Sequence, residues 1–532
     1  MAEVKSPLNR IRLLELLPVH KNKIFHPFLL ALYPVLALLA HNIEEIKFVT
    51  GLRSLILAPL GAAILFGLLR LVIHDWHRAG LVCSLGLILF FSYGHLYNYL
   101  EQNQVLGFAL GRHRFLVPVW GGLFLLGMIL VLRRGDRLAV VTRSVNVVAA
   151  FLLIVPMVQL LSFAGQVMPA LSRERQPAQN IHDLRVQEGQ IPPDVYYIIL
   201  DSYTRGDIFQ EIYEYDNTPF LDQLRGLGFY IASCSQANYS QTRLSLTSSL
   251  NMEYLDQQLG ELNSHSEEMA KLLPLAHHST VRQALEGLGY MTVSFETGHI
   301  PTQWEDTDYY LSPQGSVISE AQNLGRLSEF EVMLLKNSAG LLLTDAASGL
   351  PQLLGNASHS YWQIYRERIL YTLDRLEDVP TIPGRKFVFA HILAPHPPYV
   401  FEADGKPVQQ EKGKIIGYRD QVTYINTRIL SVLEAIIAKS NTPPIIILQG
   451  DHGPDSFTPK DRLAILNAYY LPEVDKGNFY ADISPVNSFR LVFNTSFGGN
   501  YLLLEDTSYY TLAREPYQFE VIPSEDENCL DF

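Results

Sequence analysis

Five apolar stretches in the first third of the chain constrain its fold more than any other feature. They cover residues 25–41, 52–73, 79–100, 115–132 and 145–163. A helix needs about 20 predominantly apolar residues to cross a bilayer, and these stretches reach or approach that length. A cleaved signal peptide does not fit, because no small-residue cleavage site follows the first stretch and four more stretches come after it. We therefore predict a transmembrane domain of about five helices over residues 25–167.

The orientation follows from basic residues that cluster before the first stretch and after the fourth. These residues are Lys5, Arg10, Arg12, Lys21, Lys23, Arg133, Arg134, Arg137 and Arg143. Cytoplasmic loops of membrane proteins carry an excess of Lys and Arg, so the N-terminal tail, residues 1–24, is predicted to be cytoplasmic. An odd number of spans then places the rest of the chain outside the cytoplasm. The prediction is a multi-pass protein of the cell membrane with an extracytoplasmic C-terminal part.

The charge and the cysteines argue against two classes of function. A net charge of −13 argues against a nucleic-acid partner, because binding to phosphates requires a basic surface. The three cysteines form no Cys-x-x-Cys pair, which argues against a cysteine-based zinc site and a disulfide framework. Cys234 and Cys529 can pair only if the fold brings them together.

Strand-like and helix-like segments alternate after a polar linker at residues 168–193. Apolar runs typical of buried strands lie at 195–200, 290–295, 386–393 and 444–449. Amphipathic helical patterns at 360–379 and 418–439 separate the later ones. Strands joined by helices of this size indicate crossover connections and a mostly parallel sheet with helices on both faces. We predict one such domain over residues 194–532.

Polar side chains follow three of the predicted strands at the point where each strand ends. Asp201 follows the first, His391 and His396 lie at the end of another, and Asp451 and His452 follow the last. The carboxyl ends of parallel strands meet at one edge of a sheet, which is where open α/β sheets bind their ligands. A capped turn with a solvent-facing histidine is the alternative for any one of them. Their convergence favours a site for a metal or a phosphate.

Hydroxyl side chains cluster in residues 237–251, where a loop enters a predicted helix. One interpretation is simple N-capping by Ser or Thr. The other is a hydroxyl nucleophile at a helix N-terminus, where the helix dipole and free N–H groups favour an incoming anion. A nearby dication would lower the pKa of such a hydroxyl.

The order of these motifs resembles the alkaline phosphatase/sulfatase superfamily. The chain has Asp201 after a strand, Thr242 and Ser245 in a Thr-x-x-Ser pattern, then His-Pro-Pro-Tyr from His396 and Gly-Asp-His-Gly around Asp451. With five preceding spans, the whole chain resembles the lipoteichoic acid synthase and lipid A phosphoethanolamine transferase branches. Those are membrane-anchored enzymes whose extracytoplasmic domain uses a metal-bound threonine. The fold expected from this resemblance is an α/β sulfatase-like (alkaline phosphatase-like) domain behind the transmembrane helices.

The resemblance implies roles for individual residues. The implied metal ligands are Asp201, Thr242, Asp451 and His452. The implied catalytic residues are Thr242 as the nucleophile and His396, which is held against the transferred phosphate. Substrate-binding positions are expected at His391, His299 and Trp304. Oxygen and imidazole donors suit one divalent ion, with manganese or zinc expected ahead of magnesium or calcium.

The chain departs from the resembled families at several positions. Asp201 stands where the two transferase branches have Glu, while sulfatases and phosphatases have Asp. The Arg expected beside Trp304 is missing, and Glu305 and Asp306 follow instead. The formylglycine motif Cys/Ser-x-Pro-x-Arg of sulfatases is absent. No histidine follows His452, which favours one metal ion over the two of alkaline phosphatase.

The predicted function is therefore metal-dependent transfer of a phospho-headgroup from a phospholipid to a cell-envelope acceptor through a phosphothreonine. The headgroup would be phosphoglycerol or phosphoethanolamine, and the acceptor a glycan, lipid or polymer. One alternative is a membrane-tethered phosphodiesterase, phosphatase or sulfuric-ester hydrolase that uses water. Another is a catalytically silent scaffold for envelope assembly, which would bind no stoichiometric metal.

Overall fold

The computed structural model describes residues 23–43, 48–102, 112–133, 138–171, 184–186, 191–255, 265–313, 327–342, 356–409, 412–454, 458–472, 476–512, 515–523 and 529. The N-terminal tail up to residue 22 and most of the predicted linker lie outside the described residues. The boundaries predicted for the tail, the linker and the two domains therefore stay predictions.

The N-terminal third is helical where it is described. Its helices are α1 (His26–His41), α2 (Leu52–Ile73), α3 (Trp76–Gln102), α4 (His113–Arg133) and α5 (Leu138–Leu171). Four of the described helical stretches are long and apolar enough to cross a membrane, from Phe48–Ile73 to Leu138–Val167. The helix at the first predicted span, α1, is apolar but has only 16 residues. The prediction of about five helices is confirmed as four to five.

The remaining elements alternate between strands and helices along the chain. The strands are β1 (Val195–Leu200), β2 (Tyr230–Ile231), β3 (Met291–Phe295), β4 (Tyr309–Leu311), β5 (Lys386–Ile392), β6 (Ile445–Gly450), β7 (Asn467–Tyr470), β8 (Ser508–Leu512) and β9 (Glu515–Ile522). The helices are α6 (Gly206–Tyr213), α7 (Thr218–Leu227), α8 (Thr242–Asn251), α9 (His265–His277), α10 (Thr280–Gly287), α11 (Glu329–Lys336), α12 (Asn356–Leu376), α13 (Lys414–Lys439), α14 (Pro459–Leu463) and α15 (Pro485–Ser496).

The chain divides into two compact units. The first comprises Met1–His41, Gly51–Gln159 and Phe330–Leu354, and the second comprises the rest. The first unit thus includes a segment that comes from far along the chain. Within that unit, the Ala339 amide donates to the Phe90 carbonyl over 2.7 Å, and Arg53 forms an ion pair with Glu331.

A seven-stranded sheet organises the second unit, in the order β2-β7-β6-β1-β5-β3-β4. All neighbours from β6 to β4 pair in parallel, and β7 pairs antiparallel with both β6 and β2. This confirms the predicted mostly parallel sheet. The antiparallel strands at one edge were not predicted, since the short runs that form them carry no strong apolar pattern.

The central strand β1 is buried on both faces, as its unbroken apolar sequence requires. Tyr196, Ile198 and Leu200 point into one core, which they share with residues of α7, α12 and α13. Val195 and Tyr197 point into the other, which they share with residues of α8, α10 and α15. Helices therefore cover both faces, as predicted.

The C-terminal end of the chain forms a separate two-stranded sheet from β8 and β9, which pair antiparallel. A disulfide joins Cys234 to Cys529 across 295 residues of sequence. Cys234 precedes the loop that leads into α8, so the fold brings together the two cysteines that spacing alone left undecided. Cys83 is free and buried.

Gly450, the last residue of β6, permits a close approach of two strand-end loops. An added Cβ would lie 2.3 Å from the carbonyl oxygen of Tyr203, a distance that requires the backbone to shift. We expect Gly450→Ala to lower the free energy of unfolding by roughly 1–3 kcal/mol, as overpacking does elsewhere. Urea unfolding of the purified wild type and variant measures this difference in free energy. Gly226→Ala is the control, since its Cβ meets nothing within 4 Å in helix α7. An unchanged Gly450→Ala midpoint would contradict the close approach.

Candidate active site

The register of the sheet aligns the ends of three neighbouring strands. Leu200 of β1 pairs with Ile392 of β5 on one side and with Gly450 of β6 on the other. The residues that follow therefore emerge side by side, and the Asp201 amide donates to the Ile392 carbonyl over 2.9 Å. Parallel pairing thus converts residues about 190 and 250 positions apart into one cluster, as expected for this sheet edge.

Asp201 and Asp451 face each other across a tight turn at the end of β1. The Ser202 amide donates to Asp451 Oδ1 over 3.0 Å, and the Ser202 hydroxyl donates to Asp201 Oδ1 over 3.1 Å. Ser202 has a φ of 63°, a left-handed conformation that is uncommon for a residue with a side chain. This turn fixes one oxygen of each carboxylate and leaves the other oxygen of each directed into the site.

His452 and Thr242 meet through the imidazole Nε2. The His452 Nδ1 lies 2.8 Å from the Gly453 carbonyl, so it carries the proton and leaves Nε2 with a lone pair. Thr242 Oγ1 lies 3.0 Å from that Nε2. Thr242 is the first residue of α8, and Ser245 in the same turn donates to the Asp451 carbonyl over 2.7 Å. The start of α8 is thereby fastened to the end of β6.

His391 lies closer to the carboxylates than its predicted substrate-binding role requires. Its Nε2 is 3.3 Å from Asp201 Oδ2, and its Nδ1 is 2.9 Å from the Thr302 hydroxyl. Donor atoms of Asp201, His391 and Asp451 all lie within 4.8 Å of one another, and the three residues are buried. His391, one of the strand-end residues that the sequence predicted to converge, is therefore a further candidate ligand.

The donor set fits a divalent cation. Asp451 Oδ2 is buried, lies 3.4 Å from His452 Nε2 and makes no hydrogen bond among the described residues. His391 Nε2 is also buried and lies 3.3 Å from Asp201 Oδ2. Buried polar atoms without partners are costly, and two carboxylates in one buried site repel each other unless a cation lies between them. Carboxylate, imidazole and hydroxyl donors suit zinc, manganese or magnesium. The structure brings together donor atoms of Asp201, His391 and Asp451, and the roles predicted for Thr242 and His452 as ligands stay predictions.

The surroundings shift the pKa values of two of these groups. Burial would raise the pKa of the Asp201 carboxyl, but the imidazoles of His396 and His391, and then that of His452, hold it well below its usual range. Burial, followed by the Arg462 guanidinium, lowers the pKa of His452 against the opposing carboxylates. At neutral pH the site therefore presents an ionised Asp201 and a neutral His452, the forms that bind metals.

His396 lies at the mouth of the site rather than inside it. Its backbone amide donates to the Asp201 carbonyl over 3.0 Å, and its carbonyl accepts from Gln421 Nε2 over 3.0 Å. Its ring is partly exposed, with Nδ1 2.5 Å from the Pro397 carbonyl. The fixed backbone and accessible ring leave Nε2 available to a bound substrate.

The two remaining predicted positions differ in their surroundings. His299 is half-buried, its ring centroid is 6.3 Å from that of His391, and its buried Nε2 has no hydrogen-bond partner among the described residues. Burial, then the neighbouring His391, lowers the pKa of His299 to about 3. Trp304 is fully buried and stacks on Phe389 with ring centroids 4.1 Å apart. Its role in substrate binding stays a prediction that this core position does not favour.

Sequence reasoning missed two residues that contact the site. Ser202 bonds both carboxylates, and only its position directly after Asp201 could have indicated it. Arg462 in α14 donates from Nε to the Ser240 carbonyl over 3.1 Å, and its Nη2 lies 3.4 Å from His452 Nε2. No sequence pattern singled out that arginine.

Comparisons with known proteins agree with this architecture. The sequence model of the family described as Sulfatase matches residues 193–487, more than half of the chain. No curated protein matches the chain. Among solved structures, the C-terminal periplasmic domain of EcEptC from Escherichia coli in complex with Zn is similar at 13% identity and a TM-score of 0.42, covering 65% of this chain and 96% of that one.

Two further solved structures are similar to this chain at lower sequence identity. Lipooligosaccharide phosphoethanolamine transferase A from Neisseria meningitidis, an integral membrane protein, is 11% identical with a TM-score of 0.41, covering 88% of this chain and 95% of that one. A protein of the alkaline phosphatase superfamily from Vibrio parahaemolyticus is 10% identical with a TM-score of 0.38, covering 66% and 81%. Because all three TM-scores are below 0.5, these structures assign no residue roles to this chain.

Proposed function

Because the chain belongs to the sulfatase family and is an enzyme of the phosphotransferase or hydrolase type, we propose that it transfers a phospho-headgroup from a phospholipid through Thr242. The observation that carries this proposal is the position of Thr242 Oγ1, 3.0 Å from His452 Nε2 at the N-terminus of α8. A hydroxyl in that position lies beside the candidate metal ligands and at the positive end of a helix dipole. Span-length helices in the same chain support a lipid as the donor, since they hold the enzyme at the bilayer.

The roles divide among residues that the fold brings together. Asp201, Asp451 and His452 would hold a divalent ion, with Thr242 as a further ligand. The ion, when bound, lowers the pKa of a coordinated hydroxyl and neutralises phosphoryl charge. Ser202 fixes the two carboxylates, and Ser245 fixes the start of α8. His396, at the accessible mouth, protonates the leaving group.

The proposed reaction consists of two in-line displacements at phosphorus. Thr242 Oγ gives its proton to solvent water and attacks the donor phosphorus, the bond from phosphorus to the diacylglycerol oxygen breaks, and that oxygen takes a proton from His396. The headgroup phosphate is then a diester on Thr242. An acceptor hydroxyl attacks the same phosphorus and gives its proton to His396. The bond from phosphorus to Thr242 Oγ breaks, and that oxygen takes a proton back from water. The protein contributes positioning and charge neutralisation.

A hydrolase remains the second candidate function, because water can replace the acceptor hydroxyl in the second displacement. The partial exposure of His396 favours this candidate, since the mouth of the site admits solvent. Both candidates share the first half-reaction and release diacylglycerol. They differ only in where the headgroup is found afterwards.

Purified full-length protein in liposomes with Mn²⁺ or Zn²⁺ tests the proposal. With phosphatidylethanolamine or phosphatidylglycerol carrying a fluorescent acyl chain, we expect fluorescent diacylglycerol to form. With a radiolabelled headgroup, the label should appear on the protein and then on an added glycan or lipid acceptor. Label found only in soluble product would assign the hydrolase. Absence of diacylglycerol release from both lipids under both metals would contradict the proposal.

A further inference from the structure

The C-terminal hairpin of β8 and β9 contacts the loop that presents Thr242. The Tyr509 amide donates to the Asn238 carbonyl over 2.9 Å, and the rings of Tyr239 and Tyr509 stack with centroids 5.3 Å apart. Residues 238–241 therefore lie against a strand that is about 270 positions further along the chain. None of the motifs used to identify the site includes this hairpin.

Within the hairpin, Thr511 contacts the two residues that immediately precede Thr242. Its amide donates to Ser240 Oγ over 3.0 Å, and Ser240 Oγ donates to the Thr511 carbonyl over 3.2 Å. Its hydroxyl accepts from Gln241 Nε2 over 2.7 Å. Thr511 is buried, so water does not readily replace these partners. Both residues that immediately precede Thr242 are thus held by one side chain and its backbone.

Gln241 is the N-cap of α8, and its side chain makes no capping bond to the helix. The side chain instead reaches Thr511, while its backbone adopts the extended conformation that sets the entry of Thr242 into the helix. A helix whose N-cap side chain accepts no hydrogen bond from the first-turn amides is less stable than a capped one. The bond to Thr511 instead ties the residue that precedes Thr242 to the hairpin. It acts on the reacting hydroxyl through one intervening peptide.

We propose that Thr511 is a positioning residue that holds Thr242 Oγ1 in line for attack, an inference that rests on the proposed role of Thr242 as the nucleophile. The hairpin thereby becomes part of the catalytic machinery without touching substrate or metal. The disulfide between Cys234 and Cys529 holds the chain on both sides of this contact, since Cys234 precedes the loop and Cys529 follows the hairpin. Displacement of a nucleophile by about 1 Å can slow a reaction by roughly 100-fold.

Thr511→Val is the direct test. It removes the hydroxyl, which contacts Gln241 Nε2 and lies 3.4 Å from Ser240 Oγ, and it keeps both backbone bonds to Ser240. We expect kcat for diacylglycerol release and the rate of Thr242 labelling by radiolabelled headgroup to fall roughly 10- to 100-fold, with KM unchanged. Thr511→Ser keeps the hydroxyl and should restore both rates. Gln241→Met removes the other partner and should match Thr511→Val, with no further loss in the double variant.

Thr372→Val is the matched control. Thr372 is a buried threonine in α12 whose hydroxyl donates to the Arg368 carbonyl over 3.1 Å, away from the loop. If Thr511→Val keeps the wild-type kcat, or loses activity only as much as Thr372→Val, the inference is wrong. If Thr511→Val does not fold, Gln241→Met with wild-type kcat overturns the inference equally. The proposed function fails separately, if Thr242→Ala keeps activity.

Discussion

Thr242→Ala is expected to abolish diacylglycerol release, with a fall in kcat/KM of at least roughly 1,000-fold, the scale of losing a nucleophile that acts with its neighbours. Thr242 Oγ1 is the only atom of the residue that alanine removes besides the methyl group, and it lies 3.0 Å from His452 Nε2. Among the described residues, the neighbouring hydroxyls of Ser245 and Ser202 are already engaged, because Ser245 donates to the Asp451 carbonyl and Ser202 donates to Asp201 Oδ1, and both residues are buried. The measurement is release of the fluorescent lipid product, alongside headgroup labelling of the protein.

Two variants separate chemistry from folding in this experiment. Thr242→Ser retains a hydroxyl and should keep measurable activity with label on the new serine. Thr247→Val lies in the same helix, and the Thr247 hydroxyl is buried without a hydrogen-bond partner among the described residues, so this change should be neutral. Wild-type labelling in Thr242→Ala would remove Thr242 from the nucleophile's role.

The parts of the site that the sequence predicted are those set by local pattern. Apolar runs that end in Asp201 and Asp451 predicted both strands and the edge at which they meet, because parallel pairing leaves little choice once each strand is buried. The helix start at Thr242 followed from its cluster of hydroxyl residues. In each case a short stretch of sequence determines both the strand or helix and the end of it at which the polar side chain lies.

The parts that sequence did not predict depend on contacts between distant segments. His391 was predicted at the shared sheet edge, but its contact with Asp201 depends on β1 and β5 being neighbours, which no local pattern determines. Arg462, in the short helix α14, lies next to His452. Thr511, in the C-terminal hairpin, accepts a hydrogen bond from Gln241. Trp304 shows the converse, since an aromatic residue near a strand end packs into the core as readily as it binds substrate. Such positions follow from the packing of the whole domain.

Asp451→Asn is expected to prevent metal binding while it leaves the metal-free protein at least as stable as the wild type. Asn keeps the oxygen that accepts from the Ser202 amide and replaces the second oxygen, which makes no hydrogen bond among the described residues, with an amide that cannot ligate. It also removes one of two buried carboxylates whose donor atoms lie within 4.8 Å of each other, so repulsion in the empty site falls.

Adding Mn²⁺ or Zn²⁺ should therefore raise the melting temperature of the wild type and leave Asp451→Asn unchanged, since a ligand stabilises only the state that binds it. Changes to residues that merely support ligands weaken metal affinity by about 10- to 100-fold, and loss of a ligand should exceed this range in calorimetric titration. Asp207→Asn is the control, because Asp207 is buried against Arg205 with no contact to the site; it should lose stability and keep its metal. Stoichiometric metal in purified Asp451→Asn would show that Asp451 is not a required ligand, and would contradict the prediction.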